Sequence, residues 1–264
     1  MLTQITLTLK MVLRDRILHA VVAVGLLLIV VIPVFSSFSM RQAQESAIGM
    51  VLSATSLILL VLAAHLGASS IYRDVERRYT HAVLSLPLTR GQYVVGRFLG
   101  ISFFLFGVLV FLALCSAIVI VIAASTHPSP LPIAWGTLGA AFFGLGLKYL
   151  LLTSVALFFS ALSTSFSLPF FCTLAVYLAG SASQEVFDYL TGTYDEKFSW
   201  VARGLSQVVY YLCPNFSGFD LQIQAVYGLP VDISQFFVTT AYGVLYIMVM
   251  VWGASIVFSR RELP

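Results

Sequence analysis

Lys148 is the one charged side chain that lies deep within a long apolar stretch of this 264-residue sequence. A lysine near the centre of a membrane span costs ~2.5 to 3.5 kcal/mol to insert, so it normally faces water or the interior of a helix bundle. Its ammonium group could bind an anionic ligand group or an acid from another helix. Alternatively, backbone carbonyls or snorkelling satisfy the group and its role is structural. The sequence leaves both interpretations open.

A second set of charges lies in residues 72–79, which read Tyr-Arg-Asp-Val-Glu-Arg-Arg-Tyr. In a helix, Asp74 would pair with Arg78 at i,i+4, and Arg73 would pair with Glu76 at i,i+3. We therefore expect this stretch to extend the preceding apolar helix into water as a charged helical segment.

A proline and a cap follow this charged helix. Pro87 disfavours helical conformation at the residue before it, and Thr89 with Gln92 three residues later makes a capping box that begins a new helix. Residues 72–97 are therefore predicted to form a helix, an elbow and a second helix. Such a unit is suited to transmitting force from a partner that pushes on it.

The arginines of this elbow have a simpler alternative role. Arg77, Arg78, Arg90 and Arg97 could only anchor helix ends to anionic headgroups, at ~1 kcal/mol each. That interpretation accounts for the arginines one by one. It does not account for the length of the segment or for its interleaved acids.

Motifs for other chemistry are missing from the sequence. The acids lie at the ends of apolar segments or in loops, and no H-E-x-x-H, Ser/His or Asp/Asp set is present. The four histidines are scattered, and the three cysteines form no CxxC pair. Gly144–Lys148 lacks the spacing of a phosphate-binding loop. We expect no catalytic residue, metal or cofactor on this chain, and no nucleic-acid binding.

Composition places these residues in a bilayer. The chain is 59% hydrophobic and 9% charged, with mean hydropathy +0.98, which is far too apolar for a soluble domain. A membrane-spanning helix needs ~20 mostly apolar residues. Six segments qualify: 17–38, 47–71, 98–124, 133–162, 168–187 and 234–258. The fourth is overlong, so it is either tilted or begins as a helix on the outer surface.

The predicted fold class is thus an all-α integral membrane protein, with residues 1–264 forming a single transmembrane domain. Residues 1–16 alternate apolar and polar faces at helical spacing, which predicts an amphipathic helix in the membrane interface. The alternative is that they extend the first span. Gly96-x-x-x-Gly100 permits close helix contact, but the motif is common by chance.

The distribution of basic residues predicts the orientation. With the N-terminus inside, ten of the fourteen lysines and arginines are cytoplasmic, and both termini are cytoplasmic as well. These ten are Lys10, Arg14, Arg16, Arg73, Arg77, Arg78, Arg90, Arg97, Arg260 and Arg261.

Residues 188–233 then lie outside the membrane. This segment is acidic and rich in aromatic residues, and the apolar spacing from Trp200 to Leu212 predicts a short helix in the outer interface that ends by Pro214. The segment could therefore carry short helices at the outer face before the last span. An aromatic belt with solvated acids is an equally good interpretation.

The stretch from Tyr72 to Gly100, with its mixed-charge helix, Leu-Ser-Leu-Pro turn, arginine and glycine-bearing helix, resembles the cytoplasmic segment of ABC-2 type permeases. The overall length, the six spans, the amphipathic N-terminal helix and the outer segment are similar to that family as well. The resemblance implies a multi-pass protein of the bacterial inner membrane. It also implies export by alternating access, with the outer helices capping the translocation path. Lys148, because of its position within a span, would then lie on a possible substrate path.

The same resemblance implies partners. A separate cytoplasmic ABC ATPase subunit would dock on the elbow as on a coupling helix, and ATP and Mg would be bound by that subunit. A second permease copy would complete a homodimer surrounded by membrane lipid. The residues that would couple to the ATPase are Arg73, Asp74, Glu76, Arg77, Arg78, Pro87 and Arg90.

Two other functions remain open at this point: an ATP-independent membrane carrier and a membrane-protein assembly factor. Ion-coupled carriers generally need acids within the membrane, or broken helices around a midplane site. Lys148 alone is weak evidence for an ion-coupled carrier. The sequence does not indicate the substrate.

Overall fold

The computed structural model describes residues 2–39, 42–76, 89–126, 132–191 and 213–260, with 204, 207–208 and 210–211. Over these residues the protein is all-helical, which confirms the predicted class. Six helices come first: α1 Leu2–Leu13, α2 Arg16–Ser37, α3 Ala43–Glu76, α4 Arg90–Thr126, α5 Trp135–Leu162 and α6 Ser167–Thr191. A 3-10 turn at Ser217–Phe219, a short helix α7 at Gln222–Tyr227 and the last helix α8 at Ile233–Arg260 follow.

Five helices in the described part of the chain are long and apolar enough to cross a membrane, namely α2, α3, α4, α5 and α8. The segment 168–187 is also helical, as α6, but it is not among the five. Small and polar residues in its second half, such as Ser181, Ser183 and Gln184, dilute its apolar character. Five spans are therefore supported, and the sixth stays a prediction.

The helices start and stop for local reasons. Asp15 caps α2 by accepting the Ile17 N–H at 3.1 Å. The predicted capping box begins α4, because the Thr89 N–H donates to Gln92 Oε1 at 3.1 Å and the Gln92 N–H donates to Thr89 Oγ1 at 3.2 Å. α7 ends at Gly228, whose φ of 64° is a left-handed conformation that glycine adopts without strain.

Two helices extend beyond the apolar spans, as the sequence predicts. α3 continues through the charged residues to Glu76, as the helical extension predicted, and α4 already begins at Arg90. The overlong fourth segment is one unbroken helix from Trp135 to Leu162, and the described residues just before it, 132–134, are not helical. The described positions 207–208 and 210–211 are helical, and the helix has ended by Cys213, as Pro214 predicts.

The core is centred on α3 and α5, which pack against each other most extensively. A Cβ on Gly67 would lie 2.4 Å from Ala156 Cβ, so the two backbones meet where only glycine fits. Beside this contact the Ser160 hydroxyl donates to Ala68 O at 2.8 Å and accepts the N–H groups of Ile71 and Tyr72 at 3.3 Å. The last turns of α3 are thereby fixed to α5.

α1 packs across the start of α4, and the glycine pair Gly96 and Gly100 forms the crossing point. A Cβ on Gly96 would lie 2.8 Å from Gln4 Cγ, and one on Gly100 would lie 2.5 Å from Thr8 Cβ. α1 is thus a helix separate from α2, as predicted, and it buries Gln4, Thr8 and Val12. Its position in a membrane interface stays a prediction.

Candidate functional site

Two of the seven predicted coupling residues, Arg73 and Arg90, have described side chains. The backbone of α3 includes Asp74 and Glu76, but their side chains lie outside the described residues. Arg77, Arg78 and Pro87 also fall in the part of the chain that is not described. The structure therefore gives the geometry at both ends of the elbow.

At the first end, Arg73 binds a residue 58 positions earlier. Its guanidinium Nη1 donates to Asp15 Oδ2, and its Nη2 lies 3.3 Å from His65 Nε2. His65 Nε2 in turn lies 3.4 Å from the same Asp15 oxygen. The sequence pattern paired Arg73 with Glu76 and did not suggest Asp15. This cluster attaches the end of α3 to the junction of α1 and α2.

Asp15 is shielded from water, with 7% of its side chain exposed, against 38% for Arg73. Burial by itself would raise the pKa of the Asp15 carboxyl. The hydrogen bond and charge of Arg73, together with the Ile17 N–H and His65, outweigh burial and hold this pKa below its usual value. Asp15 is thus an anion at neutral pH and serves both as helix cap and as ion-pair partner.

At the second end, Arg90 reaches the end of the last helix. Its Nη1 donates to the carbonyl of Ser259 at 2.9 Å, and an arginine near the C-terminus of a helix also interacts favourably with the helix dipole. Next to it Tyr93 stacks on Phe258 at 5.3 Å between ring centroids. Both ends of the elbow are therefore attached by side chains to other helices of the bundle.

Lys148 lies where the sequence places it, within a helix, and it faces a cavity. Only 5% of the residue is exposed. Its Nζ lies 5.5 Å from the ring centroid of Tyr177 and 6.0 Å from that of Tyr149, within the range of cation–π attraction. The structure does not assign it a role, so its place on a substrate path remains a prediction.

The cavity at Lys148, which we call the Lys148 cavity, has a volume of about 740 Å³. Two acids, Glu45 and Asp220, line it together with glutamine, serine and tyrosine side chains. The sequence did not link these acids to Lys148, because they are far away along the chain and lie on separate elements.

Residues 213–227, which we call the inserted segment, contribute one part of the wall of the Lys148 cavity through Ser217, Asp220 and α7. The inserted segment enters the bundle at three glycines. A Cβ on Gly144 would lie 2.6 Å from Phe219 O, one on Gly180 would lie 2.3 Å from Pro214 O, and one on Gly243 would lie 2.9 Å from the Phe219 ring. Any side chain at these positions would push the segment out.

Neutral hydrogen bonds hold the same segment. Asn215 Nδ2 donates to Gln184 Oε1 at 2.8 Å, and the Ser217 hydroxyl donates to Ser181 O at 2.8 Å. Gln222 Nε2 lies 3.2 Å from both Gly49 O and the Ser53 hydroxyl, and so connects α7 to α3. The predicted outer segment 188–233 is thus fixed to the bundle along its second half.

Among the described residues no group of three histidines, cysteines, aspartates or glutamates is placed to hold a metal ion. Cys115, Cys172 and Cys213 are free thiols.

One comparison with known proteins found a match. Residues 10–219 match the family model described as ABC-2 family transporter protein. A search of curated proteins found no match. The matched range includes both ends of the elbow, Lys148 and the inserted Ser217–Phe219 turn. Since it covers most of the chain, and five described helices are apolar enough to cross a membrane, this protein belongs to the ABC-2 family of transporters and is a multi-pass membrane permease.

Proposed function

We propose that this permease works with a separate cytoplasmic ABC ATPase subunit, which binds ATP and Mg and docks on the elbow of residues 72–97. Hydrolysis on that subunit would drive export of a substrate by alternating access. Two copies of the permease would form the transmembrane part, in the bacterial inner membrane with both termini cytoplasmic. Family membership supports the class of partner, and the attachment of the elbow supports its role.

The observation that carries the coupling role is that Arg73 and Arg90 attach the two ends of the elbow to other helices. A docked partner that displaces residues 77–88 would pull on α3 through Arg73 and on α4 through the capping box of Thr89. The movement of α3 would reach α2 through the contact of Arg73 with Asp15. The movement of α4 would reach α8 through the hydrogen bond of Arg90 to Ser259. A loop that only connected two spans would need neither attachment.

The Lys148 cavity is the proposed substrate path. A buried ammonium favours an anionic group, and the aromatic rings of Tyr149 and Tyr177 beside it provide apolar contact. Glu45 and Asp220 on the wall would accept hydrogen bonds from a hydroxyl or amine on the same molecule. The cavity therefore suits an amphipathic substrate that places an anionic group beside Lys148 and a hydroxyl or amine beside the two acids.

The first experiment tests the ATPase partner. The tagged permease is coexpressed with candidate ABC ATPases and purified in mild detergent, and we expect one ATPase to copurify. The triple variant Arg77→Glu, Arg78→Glu, Pro87→Ala should lose it. Lys197→Glu with Arg203→Glu in the outer segment is the control, because it reverses two charges on the opposite predicted face. Failure of every ATPase to copurify, or equal loss in the control, would contradict the proposal.

The second experiment tests alternating access at the Lys148 cavity. In a variant whose native cysteines are replaced by alanine, Ser46→Cys places a thiol on the cavity wall and Ser234→Cys places one on the exposed start of α8. Trapping the ATPase with ATP and vanadate should change the labelling of Cys at position 46 by a membrane-impermeant maleimide but not that at 234. Unchanged labelling at position 46 would exclude the cavity from the transport path.

The role of Lys148 itself has its own test. ATP turnover by the complex is measured with a short-chain alkyl phosphate and with an alkyl trimethylammonium of equal chain length. The phosphate should stimulate the native complex and Lys148→Arg, but not Lys148→Met. Equal stimulation of Lys148→Met would remove this residue from the substrate path.

A further inference from the structure

A second large cavity lies at the opposite end of the bundle, where α1, α2, α3 and α4 meet. Its volume is about 550 Å³, within the ~300 to 1,000 Å³ that ligand sites in proteins usually have. Four arginines are among the described residues that line it: Arg14, Arg16, Arg73 and Arg97. We call it the arginine cavity.

One carboxylate, Asp15, is among the described residues of this lining. It is already engaged by Arg73 and by the N–H at the start of α2. Among the described residues of the lining, four arginines therefore stand against one carboxylate.

Arg97 is the most informative of the four, since only 5% of it is exposed. Its Nη1 lies 3.4 Å from the Thr8 hydroxyl and 3.3 Å from the Met11 sulfur, and its guanidinium carbon lies 5.9 Å from the Tyr93 ring centroid. Thr8 and Met11 belong to α1, so the helix that crosses Gly96 and Gly100 also closes the arginine cavity over Arg97. Four guanidinium groups around one cavity give it a positive potential, which favours an anionic ligand.

The chemistry of the lining indicates which anion fits. Guanidinium groups form paired hydrogen bonds to phosphate oxygens, and several converging on one space are typical of phosphate recognition. Ser69 and Ser70 also line this wall, where their hydroxyl groups donate to the carbonyls of Leu66 and Gly67. Beside the opening, exposed apolar side chains of α1 and α2, including Met11, Leu13 and Ile17, would accommodate acyl chains.

We propose that the arginine cavity binds an anionic phosphate group, as carried by a phospholipid headgroup or by free phosphate. Neither the proposed ATPase nor the proposed transport path is needed for this binding. A bound headgroup would hold α1 against the end of α3 and the start of α4, and would make the stability of the permease depend on the lipid around it.

The test uses the full-length permease in detergent, with native mass spectrometry and thermal unfolding as readouts. Three probes are compared: phosphatidylglycerol, phosphatidylcholine of the same chain length, and inorganic phosphate. We expect phosphatidylglycerol to bind and raise the unfolding temperature more than phosphatidylcholine does. Stabilisation by inorganic phosphate that equals that of phosphatidylglycerol would identify free phosphate as the source.

Variants locate the binding. Arg97→Gln should weaken phosphatidylglycerol binding about tenfold, the loss expected for one charge-assisted hydrogen bond. If Arg97→Gln does not fold, the pair Arg14→Gln with Arg16→Gln changes two exposed arginines of the same lining and should show a comparable loss. Arg90→Gln removes an arginine outside the arginine cavity and is the control.

Two results would overturn the proposal. One is equal binding of phosphatidylglycerol and phosphatidylcholine together with no effect of phosphate. The other is unchanged binding in both sets of cavity variants, or an equal loss in Arg90→Gln. Either result can occur whether or not an ATPase copurifies, so this proposal and the proposed function fail separately.

Discussion

The two ends of the helical bundle hold their polar groups by different means. Around the arginine cavity, charged side chains contact one another directly, as Asp15 does with Arg73. Around the Lys148 cavity, neutral hydrogen bonds from Asn215, Ser217 and Gln222 hold a segment that presses on bare glycine backbones. At the first end an ion pair is added to the glycine contacts between α1 and α4, and we call it the charged end. At the second end, which we call the packed end, neutral hydrogen bonds and close packing against glycine hold the described segment.

This difference predicts which change each end tolerates. Ion pairs weaken with salt and with protonation, whereas packing against glycine is indifferent to both but intolerant of added volume. The charged end is also where the elbow is attached. We therefore expect charge substitutions to act near the proposed ATPase contact, and glycine substitutions to act on the wall of the Lys148 cavity.

The largest expected effect is that of Gly144→Ala. The new Cβ would lie 2.6 Å from Phe219 O, a backbone atom that moves only if the whole inserted segment moves. Overpacking of this kind destabilises by about 3 kcal/mol. The measurement is the midpoint of thermal unfolding in detergent, which should fall clearly.

Gly139→Ala, in the same helix α5, is the matched control. A Cβ there meets no atom within 4 Å, and alanine is the better helix former by about 0.5 to 1 kcal/mol. The control should be neutral or slightly stabilising. If the two alanine variants unfold at the same temperature, the inserted segment does not depend on close contact with α5.

The next largest effect is expected for Asp15→Asn. Asparagine keeps the helix cap but loses the charge that binds Arg73, so the variant isolates the ion pair. We expect the free energy of unfolding to fall by about 1.5 kcal/mol. This is the lower end of what a hydrogen bond to a charged group contributes, because water screens the partly exposed Arg73. Arg73→Gln should lose a similar amount, and the double variant should lose little more than either single variant. Full additivity would show that the two residues act independently.

Asp15 also shows where prediction from the sequence ends. The six apolar segments all form helices close to the predicted positions, because apolar length and periodicity are local properties. The capping box of Thr89 and Gln92 is local as well, and it was predicted correctly. The pairing of Asp15 with Arg73 joins positions 58 residues apart, and no local pattern encodes it.

The Lys148 cavity shows the same limit, because its lining residues are far apart in the sequence. A lone lysine in an apolar stretch indicated a residue that faces the bundle interior or water, and the structure places Lys148 on a cavity wall. The acids beside it come from α3 and from the inserted segment, whose depth depends on glycines in three different helices. One feature of the sequence could have pointed to these acids: Asp15 and Glu45 each lie within two residues of a predicted apolar span. Many acids on protein surfaces share this feature, so it does not identify a buried partner.

A smaller effect is expected from pH. The folded-state pKa of Asp15 is depressed, so its contribution is fully present above the unfolded value of about 4 and is lost as the pH falls through the folded value. Unfolding temperatures of the native protein should therefore drop more steeply below about pH 4 than those of Asp15→Asn. Parallel profiles for the two proteins would mean that other acids account for the loss.

The smallest expected effect is that of Gln222→Ala at the packed end. Its amide donates to Gly49 O and Ser53, so its loss should destabilise by about 0.5 to 1 kcal/mol, the contribution of a neutral hydrogen bond. Ile223→Ala, on the exposed face of the same helix, is the control and should change little. Raising the salt concentration should leave the effect of Gln222→Ala unchanged while reducing that of Asp15→Asn, because only the charged pair is screened. If salt alters both effects equally, the distinction between a charged end and a packed end does not hold.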